Sequence, residues 1–200
     1  MSNNQKLRRL TMAALCGAVS FVLMYFSFSV PILSPFAEFD FSALPELIGG
    51  FILGPAGAIE IITVKLGMKL LFKGSSSLLT GELINFVLSL SYVLPAVLYY
   101  RKHKTRKGAI IGMTIGTLIA VAVSVPANVC LTFPLYIKLY GMNWEGILEM
   151  CSAVNPWIKS IPTMVAFSII PFNLISRTVT SLITLMVYKK LSVPIKKLIQ

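Results

Sequence analysis

Two asparagines set inside apolar runs are the residues with the most chemistry to offer. Asn128 and Asn173 each stand two positions after a proline, in Pro126-Ala127-Asn128 and Pro171-Phe172-Asn173. An asparagine side chain carries both donors and an acceptor, which suits the amide or imide edge of a flat heterocycle. The nearby proline removes one backbone donor, so a helix carbonyl there needs another partner. Other polar residues share apolar surroundings: Glu46, Glu60, Lys65, Lys69, Glu82, Asn85 and Arg177. A charged side chain at membrane depth costs about 2.5–3.5 kcal/mol on insertion scales unless it faces a cavity or a partner. Lys69 and Glu82 lie near the ends of apolar runs and can snorkel. Glu60 and Lys65 are close enough in sequence for a structural ion pair, and Arg177 can pair with a carboxylate across a helix bundle. Phe39, Phe41, Phe133, Tyr136 and Phe172 add aromatic surface nearby. An apolar pocket with a few convergent polar groups is the usual small-molecule site. Such a set fits a partly polar ring better than an inorganic ion, whose pathway would show several carboxylates in register.

Enzymatic chemistry finds little support. The single histidine, His103, sits inside a basic run, so no imidazole base and no histidine-ligated metal is available within the apolar segments. Lys73-Gly74-Ser75-Ser76-Ser77 lacks the first glycine and the residue order of a phosphate-binding loop. If ATP drives a process here, another chain hydrolyses it. No serine has the local signature of a His- or Lys-activated nucleophile. Cys16, Cys130 and Cys151 are odd in number and far apart, without a CxxC pair, so neither a disulfide framework nor a zinc site follows. They read as small packing residues. No metal and no cofactor is expected.

The elements that must position these residues are membrane helices. The 200 residues are 56% hydrophobic and only 12% charged, whereas soluble chains carry about 25% charge. The reading is an all-α membrane protein, one integral domain over residues 1–200, built as a bundle of six transmembrane helices. The spans cover roughly residues 10–30, 41–53, 56–72, 83–100, 109–133 and 162–188, with Gly54-Pro55 as the turn between the second and third. The first apolar run is longer than a signal-peptide core and lacks a small-residue cleavage site, so it reads as a retained helix. The net charge of +11 would suit nucleic acid if its residues shared one face. Instead they cluster between apolar runs: Lys6, Arg8 and Arg9; five between Arg101 and Lys107; then Lys189, Lys190, Lys196 and Lys197. Together these hold twelve of the 18 basic residues. They place both termini in the cytoplasm, with Glu38, Asp40, Glu145 and Glu149 opposite, and no nucleic-acid partner is expected. In the first span Ala14 and Ala18, like Ala13 and Gly17, stand four apart and permit close approach of a helix, inside the bundle or from a partner.

Several segments taken in order resemble one family. They are Phe39-Asp40-Phe41-Ser42-Ala43-Leu44-Pro45, Leu53-Gly54-Pro55-Ala56-Gly57, Gly81-Glu82-Leu83-Ile84-Asn85-Phe86 and Ile169-Ile170-Pro171-Phe172-Asn173-Leu174. The chain resembles the substrate-binding S components of energy-coupling-factor (ECF) vitamin transporters, in their riboflavin-specific branch, over nearly its whole length. The resemblance implies capture of riboflavin or a related flavin from outside a bacterial cell membrane. It implies docking onto an energising module of one transmembrane T subunit and two ATPase subunits, through the small residues Ala14 and Ala18. It also implies ligand contacts at Asn128 and Asn173, with closure of the site by the loop from Phe39 to Leu44. Glu46, Lys65, Asn85, Phe172, Ser176 and Arg177 complete the expected binding set. The chain departs from the branch at Ala43, Leu66, Val129 and Ser176. Two other readings stand beside this one: an S component for another heterocycle, of pyridoxine- or queuosine-precursor type, and a membrane adaptor that binds no small molecule.

Overall fold

The computed structural model describes residues 3–31, 38–75 and 79–199, with side chains described as far as Tyr188. Ser76, Ser77 and the side chains of Lys189, Lys190, Lys196 and Lys197 lie outside that description. The elements in chain order are α1 (Asn3–Tyr25), β1 (Phe28–Ser29), β2 (Glu38–Phe39), α2 (Ala43–Lys73), α3 (Thr80–Lys102), α4 (Arg106–Pro126), α5 (Phe133–Tyr140), α6 (Trp144–Val154), α7 (Ile161–Met164) and α8 (Ile170–Ile199). A π-helical turn, Ala127–Thr132, joins α4 to α5, and a second, Val165–Ile169, joins α7 to α8. Five helical stretches among the described residues are long and apolar enough to cross a membrane: Asn3–Tyr25, Ala43–Lys73, Thr80–Lys102, Arg106–Tyr140 and Ile161–Tyr188.

The expectation of six separate spans needs one correction. The second and third expected spans form a single element, α2, which doubles back at Gly54. Gly54 has φ 84° and ψ −174°, a conformation open to glycine alone at no steric cost, and Pro55 then restarts the helix. Reversal is shown by what meets across it. Glu46 pairs with Lys65 at 2.5 Å, although 19 residues of straight helix would hold them about 28 Å apart. The first arm, Ala43 to Leu53, is about 16 Å long, shorter than the hydrocarbon core of a bilayer.

Packing is densest at the end of the bundle that holds this reversal. Leu47, Phe51, Ala58, Ile62, Tyr92, Val93, Ala96 and Val97 are buried together there. Phe51, Tyr100 and Tyr188 close that end as a ring cluster, with the two tyrosine hydroxyls 2.6 Å apart. The basic run after α3 and the start of α4 lie at the same end. Gly17 lets α1 close on α2, since a Cβ there would meet Val64 Cγ1 at 2.6 Å. Ala13 is buried beside it, whereas Ala14 is exposed and Ala18 half-buried. The two small-residue pairs of the first span thus lie about 100° apart, Ala13 and Gly17 packed inward and Ala14 and Ala18 on the more open side.

The opposite end is looser and carries an element that a count of apolar runs omits. Gly141, in the left-handed conformation, ends α5, and Asn143 caps α6 by accepting from Gly146 N at 2.7 Å. α6 lays Ile147 and Cys151 onto Phe133, Ile158, Met164 and Ile169. Burial pushes the Cys151 thiol up from its ordinary pKa.

Candidate ligand-binding site

A cavity of about 460 Å³ opens at this second end, away from the Gly54 reversal and the basic run. That volume lies within the range of small-molecule sites. Its walls come from the C-terminal turns of α1, the segment before α2 (Glu38, Asp40 and Ser42), the C-terminal end of α2, the first half of α3, the π-helical turn after α4 with α5, and the start of α8. Each wall is chemically distinct.

Asn128 and Asn173 both line the cavity, Asn128 from within one π-helical turn and Asn173 from the helix just after the other. Pro126 immediately precedes the first turn, and Pro171 follows the second by one residue. In these turns the backbone bonds reach five residues back, Phe133 N to Asn128 O and Ile170 N to Val165 O, and the Thr132 hydroxyl also donates to Ala127 O at 3.2 Å. Each asparagine donates one N–H to the carbonyl four residues back, Asn128 to Ser124 O at 2.8 Å and Asn173 to Ile169 O at 2.9 Å. Because that partner only accepts, the anchored atom is nitrogen, and Oδ1 with the second N–H remains for a ligand. Aromatic rings enclose the space: Phe21, Tyr25, Phe133, Tyr136, Tyr140 and Phe172.

Of the expected binding set, Asn85, Asn128, Phe172, Asn173, Ser176 and Arg177 line the cavity together. Five others do not line it. Glu46 and Lys65 are wholly buried behind the wall as an ion pair, so the partner expected for Lys65, Glu60, is replaced by Glu46. Phe39 turns into a ring cluster with Phe28 at 5.2 Å and Phe41 at 5.1 Å, and Leu44 belongs to the first turn of α2. What the loop contributes instead is its acids: Glu38, held by Ser27 Oγ at 2.5 Å, and Asp40, whose Oδ1 accepts from Ser42 N at 2.7 Å. The β1–β2 pairing, Phe28 opposite Phe39, fixes that placement.

Lys69 and Glu82, expected to snorkel, pair with each other at 2.8 Å at the rim. Arg177 has no carboxylate partner among the described residues. Its guanidinium lies 5.2 Å from the Tyr92 ring, and its Nε is buried without a hydrogen-bond partner. Sequence reading passed over the α1 contribution, although Phe21, Met24 and Tyr25 have the i, i+3, i+4 spacing of one helical face. Tyr136 and Tyr140, four apart on α5, carry the same signal. Among the described residues no group of three His, Cys, Asp or Glu side chains gathers to hold a metal ion.

A bundle of apolar helices around a small amide- and aromatic-lined cavity has the make-up of a membrane-embedded binding protein. The chain belongs to the family of ECF transporter substrate-specific components, whose model matches residues 8–188. It is therefore a multi-pass membrane component of a transporter and not an enzyme. It is 29% identical to the riboflavin transporter RibU of Staphylococcus aureus over 98% of this chain and 96% of that one. It is 30% identical to RibU of Streptococcus thermophilus over 96% and 86%, and 26% identical to the riboflavin transporter FmnP of Bacillus subtilis over 93% of each. Its fold matches the solved S component of a bacterial ECF transporter with a TM-score of 0.73 and 27% identity, covering 96% of this chain and 99% of that one.

Proposed function

We propose that this protein is the riboflavin-capture subunit of an ECF importer in a bacterial cell membrane, acting as one integral domain. The observation that carries the reading is one cavity lined by both asparagine amides, each close to a π-helical turn and a proline, together with several aromatic rings. An isoalloxazine-type ring offers both a flat apolar surface and an edge of alternating carbonyl and N–H groups. Asn128 and Asn173 bind that edge, while Phe172, Phe133 and Tyr136 enclose the ring. Ser176 and Arg177 extend the polar wall, and Arg177 holds a fixed positive charge there. The similarity to three riboflavin transporters across most of the chain supports the same ligand.

Topology fits this task. Read as six passes, with α2 doubling back at Gly54, the chain carries Lys6, Arg8, Arg9 and the basic run from Arg101 to Lys107 at one end. The positive-inside bias puts that end in the cytoplasm, so the cavity opens outward. The loop bearing Glu38 and Asp40 then closes over the ligand. The exposed face of Ala14 and Ala18 docks the loaded subunit onto a transmembrane T subunit with two ATPase subunits, where ATP is hydrolysed. Ala13 and Gly17 serve α1–α2 packing instead.

A thermal-shift panel of vitamins on the detergent-purified protein tests the assignment. Ligand at 100 times Kd adds about 2.7 kcal/mol of stability. Riboflavin alone among the panel should raise the melting temperature. A shift with a pyridoxine-type ligand instead would reassign the substrate, and silence across the panel would leave the adaptor reading.

A further inference from the structure

Lys65 has no proton left for a ligand. Its ammonium carries three, and three acceptors stand within hydrogen-bond reach: Glu46 Oε1 at 2.5 Å, Asn85 Oδ1 at 2.9 Å and Ser89 Oγ at 3.1 Å. Ser42 Oγ is a fourth neighbour at 3.5 Å. Lys65 and Glu46 are fully buried and lie outside the cavity lining, whereas Asn85 and Ser89 are part of it. An ammonium only donates, so the atom of Asn85 that faces it is the carbonyl oxygen, however the amide is drawn. Ser89 passes its own hydroxyl proton to the same Oδ1 at 3.4 Å. Both lone pairs of that oxygen are thus engaged on the protein side, and the NH₂ group is what remains.

We infer that Lys65, braced by Glu46, is a positioning residue for ligand selection. It locks the Asn85 amide so that this wall offers donors alone. The ligand must present an acceptor there, a carbonyl oxygen or a ring nitrogen. Asn128 and Asn173 are held differently, each tied down by one N–H and keeping its oxygen and its second N–H available. The cavity therefore has one wall that only donates and another that both accepts and donates, and a ring with carbonyl and N–H groups on its edge satisfies both. Neutralising the ion pair frees Asn85 to turn over and accept as well as donate. This inference rests on the flavin reading of the cavity for its choice of probe.

The test compares the wild-type protein with a variant carrying Glu46→Gln and Lys65→Met together, which leaves no buried charge unpaired. Both are titrated with riboflavin, 2-thioriboflavin and 4-thioriboflavin, in which a weakly accepting sulfur replaces one carbonyl oxygen. The wild-type protein should bind one thio analogue at least tenfold more weakly than riboflavin. The variant should narrow that ratio to within threefold, and Asn85→Ala should do the same. An unchanged ratio in the variant overturns the inference, because a mere packing defect weakens all three ligands alike. Equal binding of all three by the wild type overturns it too. If the wild type binds none of them, the flavin reading falls, and the lock is read without ligand. In protein labelled with ¹⁵N-asparagine, the Asn85 side-chain amide resonances should move when the pair is neutralised, while those of Asn128 and Asn173 stay. No movement at Asn85 overturns it.

Discussion

At the scale of single residues, energetic consequences follow from how each polar group is held. Asn128 and Asn173 each keep an oxygen for the ligand, so Asn→Ala at either position should weaken riboflavin binding by about 1–3 kcal/mol, or roughly 5- to 150-fold, read by titration. Neither change removes a partner from another buried side chain, so the fold should persist. The Glu46–Lys65 pair behaves differently. Lys65→Met alone leaves a wholly buried carboxylate uncompensated and should cost about 3–5 kcal/mol of stability in a thermal melt. Adding Glu46→Gln should recover much of that loss. A single variant as stable as the double would contradict the buried pairing. The asparagines were legible in the sequence because a polar amide beside a proline in an apolar run has few structural reasons to be there. The partner of Lys65 was not. Glu46 lies 19 positions away, and only the reversal at Gly54 brings the two together.

Elements bear the next level of prediction. Gly54 alone among the residues of α2 has a positive φ, and Gly54→Ala should cost about 1–2 kcal/mol through backbone strain. α6 buttresses the cavity, since Phe133 and Ile169 belong both to its apolar cluster and to the cavity wall. Cys151 reports on that contact. It is 1% exposed, and its raised pKa keeps the thiol protonated at neutral pH, so maleimide followed by peptide mass spectrometry should leave it unmodified in folded protein. Rapid labelling of Cys151 would show that α6 is detached. Long apolar stretches marked where the membrane helices run, because twenty apolar positions leave few alternatives, although the ends of Asn3–Tyr25 and Arg106–Tyr140 differ from the expected spans by up to seven residues. α6 escaped notice for the same reason. It is 11 residues long, and the signals that set it off, the Gly141 that ends α5 and the Asn143 that caps its own start, are those of an ordinary short helix. The π-helical turns were equally hidden. Their prolines marked where the ladder breaks, and only the packed structure shows how it is repaired.

For the whole molecule, the packing residues of α1 and its proposed docking residues can be tested separately. Ala13→Leu would overfill a site that is 1% exposed and should lower stability by about 1–3 kcal/mol. Ala14→Leu with Ala18→Leu, on the outward face, should leave riboflavin affinity unchanged and abolish uptake by cells that supply the energising module. Loss of binding in that variant would place the face inside the fold instead. The net charge of +11 belongs to this scale as well, for the positive-inside bias of its clusters is the ground for the proposed outward direction of the cavity. The central claim is that the outward cavity captures a flavin by its two-asparagine edge. Titration of riboflavin into purified wild-type, Asn128→Ala and Asn173→Ala protein, followed by quenching of flavin fluorescence, tests it most directly. The account predicts tight, saturable one-to-one quenching for the wild type, near 1 nM or about −12 kcal/mol, weakened in both variants. Absence of quenching in the wild type, or equal affinity in all three proteins, would contradict it.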